Sequence, residues 1–503
     1  MVLSLAFILA FIGASVALLI GIIIFSQVQD DMLQTFGDPI LISNGTNDFT
    51  SITPIDHAFD ELVAEQTHTG DSLWTTIPSI SLSSGEFTAG NKYLIILRAD
   101  VRGSEGSNGG NSFDGANYGI RSVHGSTEFV GSELSYAFQV LRSMAYTYFT
   151  VWTAVPSEDI TMQFIVHNDN TESVFADNIS ITAIELEDFV ENEDYFYNER
   201  IVNEQLECLI FSATNCNPTG DWTATNPSVT FTANGSDDWL VMGTSQLNPD
   251  GKGDLIQTRL NLDDTLLTPF NAVRNDDVFP EDFTRHNPYL ARVYTPSASS
   301  HTVEIESSQD FKSTNSNGFG ERDYGSIFAI NLDKFEFHAD NYNPSVSVNP
   351  INTQIESNSM TVDFDTTEDT YIMGFLINNN NGGNSDPRNR MEIDNVNIWI
   401  PFVNTNHGGQ ATAGSQTLTT YFTMQDLNSA VDVDVDSLNA FVRSVVDNQV
   451  VAMSMSAKVF EFQSQVPDSF ISASNIAYTV IGIVPVALFF FLFVIFGGRL
   501  GDG

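Results

Sequence analysis

The chain has 503 residues, roughly three times a typical domain, and carries 64 acidic against 19 basic side chains, a formal net charge of −45. With five lysines in all it lacks the clustered cations that hold a nucleic-acid backbone or dock on anionic lipid headgroups, which argues against both as partners. A hydrophobic share of 42% with 11% aromatics supports packed cores, which excludes wholesale disorder and leaves an acidic, self-repelling body suited to a salty or cation-rich medium.

In chain order, the first element is an uncharged run over residues 3–25, long enough to cross a hydrocarbon core of ~30 Å as a helix within a segment 1–26. Two readings stay open, a retained signal-anchor and a cleaved signal peptide; the missing basic n-region and the length of the run favour retention. Residues 27–83 read as a leader. From there the chain repeats itself. Residues 92–97 (KYLIIL), 238–243 (DWLVMG) and 370–375 (TYIMGF) each set an aromatic before an apolar run, and downstream stand 183–189 (AIELEDF), 329–335 (AINLDKF) and 454–462 (SMSAKVFEF). Tyr93 to Ala183 is 90 residues and so is Trp239 to Ala329, whereas Tyr371 to Ser454 is 83, a diverged third copy.

Within the copies, segments such as 160–166 (ITMQFIV) and 301–307 (HTVEIES) alternate with the period of two that gives a strand one buried and one wet face. Clusters of Gly, Asn, Asp and Ser break them. Copies of roughly 105 residues built this way predict antiparallel β-sandwiches. Repeats are expected at 84–190, 227–337 and 359–463, with linkers at 191–226 and 338–358 and a stalk at 464–475. Only 437–448 (SLNAFVRSVVDN) carries a pattern fit for a short helix. The unbroken apolar Leu94-Ile95-Ile96-Leu97 predicts burial of both faces. A second uncharged run, 476–496, predicts a transmembrane helix, followed by Arg499 in a short inner tail 497–503.

The strands at 287–297 (NPYLARVYTPS) and 301–307, closing with SIFAINLDKF (326–335), resemble a sandwich module of structural proteins from bacterial and archaeal viruses. The resemblance covers two or three copies, rests on strand patterns, and carries no functional residue over. Together with the apolar runs at 3–25 and 476–496, it gives the expectation of a mainly β protein of two or three tandem jelly-roll-like sandwiches between N- and C-terminal transmembrane helices. The apolar termini depart from naked-capsid versions and imply a membrane-bearing particle or a cell envelope.

Chemistry is sparse. No HExxH, P-loop, GxGxxG or GxSxG pattern has a supporting context, and the eight histidines lack an i, i+4 pairing, so no catalytic residue is assigned. Cys208 and Cys216 fit a local disulfide in an oxidising exterior, with two free thiols as the alternative. Asn44, Asn178 and Asn234 head glycosylation sequons. Calcium is the candidate cofactor: Asn248, Asp250, Asp254, Asp276 and Asp277 offer hard oxygen ligands, although Lys252 interrupts the first loop and a solvated acidic turn is the simpler reading of either loop. The long loops 102–118 and 377–388 are either recognition tips or passive connections.

These readings converge on a membrane-anchored surface protein that assembles with copies of itself and contacts a bilayer through residues 3–25 and 476–496. A virion surface protein with a host-attachment role is the leading version. A cell-envelope adhesin, S-layer-like or filament protein is the alternative. A membrane-tethered glycan-binding or glycan-active protein is the second; it requires exposed aromatics among Trp74, Trp152, Trp222 and Trp239, of which Trp152 and Trp239 are expected in the core.

Overall fold

The computed structural model describes residues 51–459 except 71, 105–116, 138–143, 168–171, 206–226, 249–254, 264, 267–270, 275–288, 312–320, 343–353, 363–368, 381–387, 395, 400–415, 427–430 and 439–441. Three pairs of facing antiparallel sheets follow one another along the chain. In the first, β2 (His57–Leu62), β11 (Ser173–Glu185), β5 (Lys92–Gly103) and β9 (Met144–Thr153) form one sheet, with β3 (Gln66–Thr69) beside β2 on β11. Its partner sheet is β4 (Thr75–Leu82), β10 (Ile160–Val166), β6 (Asn117–His124) and β8 (Leu134–Ala137), with β7 (Thr127–Glu128) on β6.

Lettered B to I in chain order, these eight principal strands give sheet orders B-I-D-G and C-H-E-F, which is the connectivity of a jelly roll. The second unit repeats it. Its sheets run β12 (Tyr195–Gln205), β20 (Glu321–Asn331), β14 (Trp239–Asn248), β18 (Tyr289–Tyr294), and β13 (Ser228–Thr232), β19 (Ser300–Phe311), β15 (Leu255–Leu262), β17 (Asn271–Arg274), with β16 (Thr265–Leu266) also on β15. The third does so again, with β21 (Phe335–Tyr342), β28 (Val442–Val459), β23 (Asp369–Asn380), β26 (Gln416–Asp426), and β22 (Gln354–Val362), β27 (Val431–Leu438), β24 (Arg388–Ile393), β25 (Val396–Trp399). A further strand, β1 (Ser51–Pro54), joins β28.

The 90-residue spacing is the register of strands D and I. Ala183 pairs with Ile95, two residues past Tyr93, and Ala329 pairs with Val241, two past Trp239. In both rolls the D strand buries alternate residues in its own sandwich. Tyr93, Ile95 and Leu97 pack inside the first roll, and a Cβ on Gly243 would strike Leu260 at 2.8 Å and Ile305 at 2.9 Å inside the second. The opposite face is buried as well. Leu94, Ile96, Phe149 and Ile184 of the first roll meet Leu240, Met242, Tyr289 and Phe328 of the second and Tyr371, Met373, Val451 and Met453 of the third in one shared core. Each such side chain, taken out of water, contributes roughly 1.5–3 kcal/mol. This is why Leu94-Ile95-Ile96-Leu97 has no polar alternation: a sheet covered on both faces reads as a continuous apolar run. Residues 52–458 accordingly form one compact unit.

Several expectations are corrected. The leader 27–83 contains the B and C strands of the first roll, the linker 191–226 contains β12, and the linker 338–358 contains the end of β21 and the start of β22. The rolls therefore occupy 57–185, 195–331 and 335–459, with only short turns between their described ends. Residues 437–438 and 442–448 are strand, not helix. The third copy is out of phase by one residue: Tyr371 faces the shared core, whereas Tyr93 and Trp239 face their own sandwiches, because one residue of slip moves a strand's side chains to the other face. The runs 3–25 and 476–496 lie outside the described residues; among those described, no helix is long and apolar enough to cross a membrane.

Candidate functional site

Two features concentrate polar chemistry, and the first lies where the shared-core face of a B-I-D-G sheet stops being apolar. On β5 the residues following Leu94 and Ile96 on that face are Arg98 and Asp100, with 0% and 2% exposure. Arg98 Nη2 donates to Asp100 Oδ1 at 2.8 Å, and its Nη1 donates to the Asn178 carbonyl at 3.2 Å. Asn178 reaches them through a bulge: the β11–β5 register breaks between Asp177 and Ser180, and Asn178 takes a left-handed φ of 48°. Its Nδ2 then donates to Asp100 Oδ2 at 3.1 Å.

Carboxylates crowd this guanidinium. Burial raises the pKa of Asp100, with Arg98 and Asn178 opposing it. Burial also pushes Asp177 up to about 6, helped by the charge of Asp100, and pushes Glu61 on β2 up to about 7 against the pull of Arg98. At the rim Arg102 pairs with Glu65 and lies 4.3 Å over the Phe175 ring. A guanidinium sealed this completely has no path to a substrate; the cluster pairs buried charges and tunes protonation.

The second feature is a set of polar junctions between rolls. From the first to the second, Thr150 Oγ1 lies 3.0 Å from Tyr197 Oη, and Tyr197 and Tyr324 both donate to Glu199 Oε2, at 2.7 and 3.0 Å. Gln246 Nε2 donates to the Glu133 carbonyl at 2.7 Å, and Tyr148 and Tyr324 pack with ring centroids 6.4 Å apart. Burial raises all three tyrosine pKa values. Gly131, at φ +75°, is required in this joint, because a Cβ there would stand 2.3 Å from the Tyr324 ring. From the first to the third, His57 Nε2 lies 3.0 Å from Asp369 Oδ2. From the third to the second, Gln449 brackets the free edge of β18, accepting from Val293 N at 2.6 Å and donating to Val293 O at 2.9 Å.

The sites expected from sequence fall unevenly. Asn234 sits on an exposed turn, its Oδ1 accepting from Ser236 N at 2.8 Å. Asn178 is spoken for by Asp100, so a glycan there would break a part-buried hydrogen bond. Asn248 ends β14, while Asp250, Asp254, Asp276, Asp277, Asn44, Cys208 and Cys216 lie outside the described residues. Among the described residues no group of three or more His, Cys, Asp or Glu is placed to hold a metal ion. Trp152 and Trp239 are buried, at 7% and 1% exposure, whereas Trp74 is half-buried with the Arg121 guanidinium 4.2 Å over its ring. Trp222 lies outside the described residues. The Arg98 cluster was missed: an arginine inside YLIILRADV signals a buried ion, but apart from Asp100, two residues on, its neighbours Glu61, Asp177 and Asn178 are 37–80 residues away and meet it only through sheet register.

No family model and no curated protein matches the chain. Among solved structures it is similar to a chain of the infectious bursal disease virus Gx strain, at 9% identity over 87% of this chain and 89% of that one, TM-score 0.19. It is similar to a chain of Sulfolobus Turreted Icosahedral Virus, at 8% identity over 79% and 91%, TM-score 0.15. A third is the triple jelly roll and turret assembly structure from an archaeal virus, at 7% identity over 80% and 91%, TM-score 0.17. At these scores the superpositions are loose, and the jelly-roll assignment rests on the strand pairings above.

Proposed function

We propose that this chain is a structural surface protein that assembles with copies of itself, and that it is not an enzyme. The observation that carries this reading is the shared core: three consecutive jelly rolls bury the outer faces of their B-I-D-G sheets against one another, making a single block from modules that elsewhere serve as capsid and lectin domains. Its polar chemistry is spent on sealing charges and joining rolls, and the Arg98–Asp100 pair has no exposed surface on which to turn over a substrate. The net charge of −45 suits display in a salty medium and disfavours nucleic acid. The runs 3–25 and 476–496 supply the membrane attachment, which points to a membrane-bearing virion or a cell envelope as the setting, with host attachment as the role of the displayed loops.

The test is the size distribution of the full chain in mild detergent and after reconstitution into vesicles, by analytical ultracentrifugation and electron microscopy, with and without calcium. Discrete oligomers or ordered arrays are expected. A monodisperse monomer under every condition overturns the assembly reading.

A further inference from the structure

The turn after the E strand is built the same way in all three rolls. Gly125, Asp263 and Asp394 take a left-handed φ there, of 57°, 47° and 49°. Each donates its N–H to a carbonyl near the start of the H strand: Asp159 at 2.8 Å, Thr302 at 3.0 Å and Asp432 at 2.9 Å. In the second and third rolls the aspartate also accepts from that strand, Asp263 Oδ1 from Thr302 N at 2.7 Å and Asp394 Oδ1 from Asp432 N at 2.9 Å. What differs is the residue one place earlier on the H strand. It is Glu158 in the first roll, 2.5 Å from His124, then His301 in the second and Val431 in the third. The turn therefore forms without His301, and what this histidine adds is a tie to a second turn, 295–299, between β18 and β19.

His301 is 7% exposed, and both its ring nitrogens face acceptors. Nδ1 lies 2.6 Å from Asp263 Oδ2, and Nε2 lies 2.8 Å from the Ser297 carbonyl and 2.9 Å from Ser299 Oγ. A carboxylate and a carbonyl only accept, so each nitrogen carries a proton and the ring is an imidazolium. Ser299, His301 and Asp263 stand in the order of a nucleophilic triad, but here Nε2 is a donor and leaves the Ser299 hydroxyl without a base. Around the ring stand Asp263, the Phe231 ring of β13 at 6.3 Å, and Tyr294 of β18, which packs on Phe231 at 6.5 Å and feels the charge of Asp263. Asp238 accepts from Thr295 where the turn begins. Burial alone would lower the His301 pKa, but the Ser297 carbonyl and Asp263 outweigh it and raise it above 6.5. The exposed residues 297–299 in turn cover the turn 233–235. Ala233 N donates to the Ser299 carbonyl at 2.9 Å, and a Cβ on Gly235, at φ +93°, would stand 3.0 Å from Ala298 N.

We propose that this corner of the second roll is a proton-operated latch. In acid the His301 imidazolium ties the 295–299 turn to Asp263. In alkaline solution the ring gives up a proton, one nitrogen turns a lone pair on an acceptor, and the turn lifts from Ala233 and Gly235. Since folding raises the His301 pKa, the tie is complete below about pH 6.5 and is lost as the pH rises through the raised value. Its acid limit lies below about pH 3.8, because Thr302 N–H and His301 outweigh burial and hold the Asp263 pKa down. The surface displayed at this corner thus has two forms selected by pH, whatever anchors the chain.

The test is amide hydrogen exchange of the full chain in mild detergent from pH 6 to pH 9, each rate divided by its intrinsic value. Ala233 and Thr302 report the latch. Asp432, in the matching turn of the third roll with Val431 in place of the histidine, is the internal control. Protection at Ala233 and Thr302 should fall about tenfold relative to Asp432, the worth of one charge-assisted hydrogen bond. Glu61 weakens the whole fold over the lower part of this range, and such a global loss moves all three amides together, so parallel curves would refute the latch. His301→Gln keeps a donor and cannot titrate; it should abolish the relative fall, and a fall that persists would remove His301 from the role. Two measurements need no variant. With 13C-labelled histidine, the His301 ring should titrate with a midpoint above 6.5, and a midpoint at or below 6.5 would mean a neutral ring and no tie. Labelling of Ser299 by a fluorophosphonate would reveal a free Nε2 and overturn the latch as well.

Discussion

Glu61 is a carboxylate that burial drives towards its neutral form. Its Oε1 is sealed from solvent with no hydrogen-bond partner, and its pKa rises from 4.5 to about 7. The folded state therefore holds a proton that the unfolded chain releases, so stability declines as pH rises from about 4.5 through about 7, the window set by those two values. Asp177, raised from 3.8 to about 6, adds a decline over the lower part of that range. Replacing Glu61 with glutamine keeps the shape and removes the titration. Glu61→Gln is expected to flatten the fall in unfolding temperature between pH 5 and pH 7.5, estimated from the same linkage, and to raise it at the alkaline end. A variant whose pH profile superimposes on the wild-type curve would show that Glu61 is solvated. Sequence reading stops short of this cluster for a physical reason. Arg98, Glu61 and Asp177 come together only when β2 and β11 flank one another and a bulge turns Asn178 inward, and neither register nor bulge is written in any local pattern.

At the scale of the element, the strands that alternate cleanly were legible and those at the margins were not. The D and I strands anchor the repeat because both their faces are buried, which conserves apolar runs in phase. The B strands β12 (YFYNERIVNEQ) and β21 (FEFHADNY) are sheet-edge strands rich in polar residues and read as linkers. The stretch SLNAFVRSVVDN has helical spacing, yet long-range pairing with β23 over 442–448, and with β22 and β24 at Ser437 and Leu438, overrides it, as context does for strand propensity generally. Once β28 is a strand, Gln449 gains a purpose no local reading supplies: its amide closes the ladder edge of β18 in the neighbouring roll. Gln449→Leu preserves volume and leaves Val293 N–H and C=O without those bonds in a buried junction, at a cost of about 1–3 kcal/mol. Chemical denaturation should report a loss of that order. A change within about 0.5 kcal/mol, the ordinary range for a surface substitution, would mean that the bracket is not made.

The whole molecule tests whether three rolls behave as three domains or one. The sequence pattern alone argues for three beads on linkers, since each repeat has its own strands and alternation. The core argues otherwise: Phe149 of the first roll packs edge-on against Tyr289 of the second at 5.9 Å, and the Tyr371 hydroxyl of the third lies beside Thr182 and Tyr289. Separating any roll would expose Leu94, Ile96, Met373 and Val451 to water, so partial unfolding of one removes a wall of the others' core. Calorimetry of the full chain should therefore give one cooperative transition for the β body, with calorimetric and van't Hoff enthalpies in agreement, in place of three staggered ones. The −45 charge adds a direction to the same experiment. Self-repulsion within a block this acidic weakens as the Debye length shrinks from ~10 Å at 0.1 M salt to ~3 Å at 1 M, and the transition should move up in temperature over that range. Three resolved transitions, whatever the salt, would show that the shared core contributes too little to couple the rolls. The protein would then be a chain of independent sandwiches, with each roll free to turn against the next, and the rigid block on which the assembly reading depends would be lost.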